Sequence, residues 1–113
     1  INLSLSFTIV TKGRYDKFRV LDNCLRTLRA RFTRHFDIAE PLSYTEIYSI
    51  LNRIEGVADT SDVTVRNENG GAYSNVGFNI SKNTTPDGRF VACPLNCIFE
   101  VKFPTLDIKG SVK

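Results

Sequence analysis

The chain begins in strict alternation. In Leu3-Ser4-Leu5-Ser6-Phe7-Thr8-Ile9 every second side chain is apolar and those between are small and polar, the period of a half-buried strand. Gly13 in the turn that follows ends the run. From about Asp16 to Phe36 the period lengthens. Phe18, Leu21, Leu25, Leu28 and Phe32 recur at spacings of 3, 4, 3 and 4, with Cys24 beside them and Phe36 one turn on. That pattern predicts a long amphipathic helix with a single apolar stripe. Its other side carries Arg19, Arg26 and Arg34, with Asn23 and Thr27 between them.

The stretch PLSYTEIYSILNRIEGVADTSDVTV, residues 41–65, reads as a second helix handed directly to a strand. Ser43 is placed as N-cap and Glu46, three residues on, completes a capping box, while Leu42 and Ile47 flank the start as a hydrophobic staple. Tyr44, Ile47, Ile50, Leu51 and Ile54 give one apolar face, and Gly56 stands where the chain leaves the last turn left-handed. Val63 and Val65 then alternate with Thr64 and Arg66, so a strand begins within a few residues.

Beyond it, Asn-Glu-Asn-Gly-Gly (67–71) predicts a hairpin turn. Val76, Phe78 and Ile80 alternate as a return strand, and Pro86-Asp87-Gly88 marks another turn. Cys97, Phe99, Val101 and Phe103 alternate as a fourth strand that Pro104 ends. The tail 104–113 reads either as a last edge strand or as an arm for a neighbouring chain. The expected order is βααβββ with a possible extra C-terminal edge strand. Two single-stripe helices and one-faced strands fit an α+β two-layer sandwich, both helices on one face of a mostly antiparallel sheet.

Composition narrows this picture only a little. With 113 residues the size is that of a single domain, 1–113, and 42% apolar with 24% charged residues is ordinary for a globular protein. No apolar run nears the roughly 20 residues needed to cross a membrane. The absence of Met and the start directly in strand-like sequence lead us to expect a C-terminal piece of a longer chain. A net charge of +3 is a weak pointer to nucleic acid.

Candidate chemistry is sparse. Cys24 falls on the helix stripe as a core residue, and Cys93 and Cys97 with one histidine make a poor tetrahedral zinc set. His35 near the end of the first helix suits the helix dipole better than catalysis. Glu55, Asp59 and Asp62 lack the spacing of a calcium loop and read as a solvated turn. Neither a nucleophile motif nor a phosphate or dinucleotide loop is present. A small enzyme or ligand-binding domain is therefore the third reading, after an assembly module and a nucleic-acid-binding module, and no cofactor or metal is expected. The basic residues 14–34 read as a solvated face first, a protein contact second and a nucleic-acid surface third, because no aromatic stacking signature accompanies them.

Residues 3–66, and above all VLDNCLRTLRARF and the 41–65 stretch, resemble the J-type baseplate wedge proteins of contractile-tailed bacteriophages. The positions that carry the resemblance are Ser43, Ile47, Ile50, Ile54, Gly56, Val57 and Asp59. It implies a structural assembly role at the tail baseplate of a virion. The implied partners are other copies of the chain, as a homodimer within a wedge, and other wedge proteins, with no small-molecule substrate and no membrane. On this expectation Arg19, Arg26 and Arg34, with Phe103, Leu106 and Ile108 of the C-terminal segment, are candidate contact residues; Ser43, Glu46 and Gly56 are structural.

Overall fold

The structure, a computed structural model, describes residues Ile1–Lys113. Its elements run β1 (Asn2–Thr11), α1 (Lys17–Thr33), β2 (Leu42–Ser43), α2 (Tyr44–Asn52), β3 (Val57–Glu68), α3 (Ile80–Asn83), β4 (Phe90–Val91), α4 (Pro104–Asp107) and β5 (Ile108–Val112). The class is α+β. A three-stranded sheet in the order β3-β1-β5 is joined by a two-stranded ribbon of β2 and β4. β1 is antiparallel to β3 and parallel to β5.

The opening alternation makes β1 the central strand. Leu3, Leu5, Phe7 and Ile9 are all buried on the face covered by the helices, while Ser6 is exposed on the other. α1 lies across β5 and β1, and α2 packs on β3, so both helices share one face of the sheet. Asp16 starts α1, its carboxylate accepting from the backbone N–H groups of Phe18 and Arg19. Ser43 caps α2 as expected, accepting the Glu46 N–H at 3.0 Å. The reciprocal half of the capping box is absent, because the Glu46 carboxylate instead takes the Arg31 guanidinium at 2.5 Å and ties α2 to α1. Gly56 has φ +93°, as its place at the helix exit demands.

The stripe of α1 is rotated from the expected one. Val20, Cys24, Leu28 and Phe32 are buried at strict four-residue spacing, Leu21 and Leu25 are half-buried, and Phe18 is 77% exposed. At about 100° per residue Phe18 points about 200° from Val20, so the two cannot both face the sheet. The helix stops at Thr33, yet Phe36 still reaches the core and stacks on Phe32 with ring centroids 5.9 Å apart.

The C-terminal half departs further. Gly70 and Gly71 do turn the chain, but no strand returns along β3: residues 76–79 are irregular and Ile80–Asn83 form one helical turn. Side chains occupy the places of ladder partners there. Asn67 Oδ1 accepts the Phe78 N–H at 3.0 Å and Asn2 Oδ1 accepts the Ser74 N–H at 2.7 Å. The expected 97–103 strand shrinks to one parallel bridge between Glu100 and Asn2. Pro104 then starts the single turn of α4, and the same edge of β1 is taken up again by β5, from Leu5 opposite Ile108 to Ile9 opposite Val112. The tail is thus an edge strand of its own sheet.

Candidate functional site

An open cleft of about 640 Å³ lies where α1 ends. One wall is Phe32 to Phe36, the other the extended segment Ile98–Lys102, with Tyr73, Ser74 and Pro104 closing it. Its lining includes an aromatic pair, Phe36 meeting Phe99 edge to face at 6.3 Å, and Phe78 packs on Phe99 from outside the cleft at 5.5 Å. Arg34, His35 and Lys102 bring basic side chains to the lining, and Glu100 is the one carboxylate. That carboxylate accepts from Asn2 Nδ2 at 2.9 Å. Sequence reasoning missed this cleft because its walls come from residues some sixty apart that no local pattern connects.

The hydroxyls in the cleft have other duties. Ser74 Oγ accepts the Val76 N–H at 3.2 Å, and the Tyr73 hydroxyl donates to Asp107 Oδ1 at 2.7 Å. Neither is paired with His35 as nucleophile with base. The bond to Asp107 favours the neutral phenol and, with some burial, pushes the Tyr73 pKa up to about 12.

Beside the cleft lies an apolar surface. Ala39 N–H donates to Cys97 O at 2.9 Å, which brings the 37–40 turn against the 94–97 turn. Between them these turns and the next residue expose Ile38 (67%), Leu95 (83%) and Ile98 (44%). Nothing in the sequence marked Ile38 or Leu95, each set in a short loop, and Ile98 falls between Cys97 and Phe99 on what reads as the outer side of a strand.

The expected contact residues are scattered by comparison. Arg19 is exposed at the start of α1, and Arg34 is exposed at its end beside the cleft. Arg26 is on the surface but pairs with Asp22 one turn earlier at 2.5 Å. Two further basic residues of α1 turn inward: Arg29 donates to the carbonyls of Thr105 and Ile108, at 3.2 and 3.0 Å, and Arg31 holds Glu46. Phe103 is half-buried against the Tyr73 ring, with centroids 5.6 Å apart, and Leu106 is 63% exposed. Ile108 is a correction. It is completely buried, because β5 docks on its own sheet and presents that side chain to the core. Ser43 and Gly56 are structural as expected, and Glu46 is structural through Arg31 rather than through the cap. Glu55, Asp59 and Asp62 are exposed, Glu55 accepting from the Tyr15 hydroxyl at 3.2 Å, and no cluster of metal-binding side chains forms.

No family model matches the chain, and no curated protein matches it. No helix is long and apolar enough to cross a membrane.

Proposed function

We propose that this domain is a structural assembly module of the baseplate-wedge kind, holding protein–protein contacts in the ring around a phage tail hub. Its partners on this reading are a second copy of the chain and other wedge proteins, and its place is the baseplate of the virion. The observation that carries the proposal is the 41–65 stretch. Its cap, its inner isoleucines and its exit glycine are all occupied in building the α2–β3 joint, and they are the residues on which the resemblance to the wedge proteins rests. The apolar surface of Ile38, Leu95 and Ile98 supports it as a contact of the right character, since exposed apolar groups gathered on one surface commonly mark association sites.

The alternative is a small nucleic-acid-binding α/β module using the Arg-rich first helix. Its support is thinner, because Arg26, Arg29 and Arg31 each have a partner within the fold and the outer sheet face bears Ser4, Ser6 and Thr8 in place of stacking aromatics. Light scattering across a concentration series to about 100 μM tests the proposal in the regime of weak, transient interfaces. The expected result is a dimer whose population rises with concentration and disappears in the double variant Ile38→Asp, Leu95→Asp. A monomer throughout sinks the self-association. Salt-sensitive oligonucleotide binding lost on substituting Arg19 and Arg34 favours the second reading.

A further inference from the structure

Three free cysteines are divided sharply by environment. Cys24 is completely buried within α1, where an oxidant in solution does not reach it in the folded chain. Cys93 and Cys97 are different. Both are partly exposed, and both lie in one tight loop between β4 and the Glu100 bridge.

That loop is closed on itself. Cys97 N–H donates to Pro94 O at 3.1 Å, and the Cys93 thiol donates to Cys97 O at 3.3 Å. With standard bond lengths, a sulfur so close to a residue's carbonyl oxygen lies within roughly 6–7 Å of the same residue's Cβ. A disulfide needs the two Cβ atoms roughly 3.8 Å apart, a separation that side-chain rotation does not alter, so closing the link requires the 94–97 turn itself to tighten. Burial raises the Cys93 thiol above its ordinary value, and the adjacent Cys97 raises it further, so this sulfur is held as the neutral thiol near pH 7.

We propose that Cys93 and Cys97 form a peroxide-reactive dithiol site, which closes to an intramolecular disulfide and fixes the loop carrying Leu95 and Ile98. The reaction balances with hydrogen peroxide as oxidant. One thiolate attacks the O–O bond and keeps one oxygen as a sulfenic acid, expelling the other as hydroxide that becomes water. The second sulfur displaces the sulfenic oxygen as a second water, so two thiols are oxidised and one peroxide is reduced. The Cys97 carbonyl gives up the Cys93 donor but keeps Ala39, so the two turns stay together.

The test is treatment of the folded chain with hydrogen peroxide, followed by alkylation and intact-mass measurement. The expected product has lost about 2 Da, retains only Cys24 as an alkylatable thiol after unfolding, maps to a 93–97 link, and reverts with a thiol reductant. Cys93→Ser and Cys97→Ser each abolish it. Three results overturn the proposal: oxygen added to single cysteines without the mass loss, a covalent dimer in place of the internal link, or equal rates in native and urea-unfolded chains. The last shows that the fold does nothing to poise the pair. Monomeric and self-associated protein give the same mass readout, so this outcome is independent of the assembly reading.

Discussion

Gly56 is under two constraints that can be separated. Its φ of +93° disfavours any side chain, and a Cβ there would meet Val20 Cγ2 at 2.7 Å and the Tyr15 ring at 2.8 Å. Gly70 has a similar φ of +79° with nothing within 4 Å, so it carries the first constraint alone. Gly70→Ala is expected to cost about 1 kcal/mol from backbone strain. Gly56→Ala should cost that and about 1–3 kcal/mol more, because Val20 and Tyr15 must be displaced. Urea denaturation of the two variants reads the difference; equal losses would mean that the crowding relaxes without cost. The consequence of the crowding is positional, since it pins the loop after β1 and the start of α1 to the end of α2. The glycine was legible in the sequence as a helix stop, while the closeness of Val20 was not, because the two are brought together only when α1 folds back over the sheet.

Among the elements, those that owe their form to local signals were readable. β1 follows its alternation, α2 its cap and exit, and β3 its valines. The 97–103 run was readable only in part: alternation records that one side of an extended segment is buried, and says nothing about a ladder partner. Phe99 and Val101 are buried and alternate as expected, yet only Glu100 bridges to β1. The chain then leaves the edge through Pro104 and returns as β5. Gly110 allows that return, since a Cβ there would sit 2.7 Å from Phe7 Cε2. The returning element is tethered by the Tyr73 hydroxyl on Asp107, which gives it a pH signature. The folded Tyr73 pKa, about 12, lies above the ordinary 10.0. The neutral phenol's contribution is therefore fully present below about 10 and lost as pH rises towards 12. In an alkaline absorbance titration Tyr73 should ionise near pH 12. Asp107→Asn should bring it back towards the ordinary value, and an unchanged titration would dismiss the tether.

The whole molecule is long and thin, 47 × 31 × 20 Å, with β1 close to its start and β5 close to its end lying side by side. The candidate cleft could not be read from sequence for the same reason, being built where distant segments meet. The parallel pairing of β1 and β5 has a mechanical meaning. A pull on Ile1 draws β1 away past its Leu5 end, while a pull on Lys113 draws β5 away past its Val112 end, so the two strands are dragged in opposite senses along their length. The bonds from Leu5–Ile108 to Ile9–Val112 then bear the load together, as a lap joint does under shear. Attached instead at Lys12 and Lys113, neighbours at one end, the strands would peel apart one bond at a time. Single-molecule stretching should therefore find a higher rupture force for the first pair of handles than for the second, and equal forces would remove the clamp. Such a joint resists tension along the chain while yielding readily to a sideways tug.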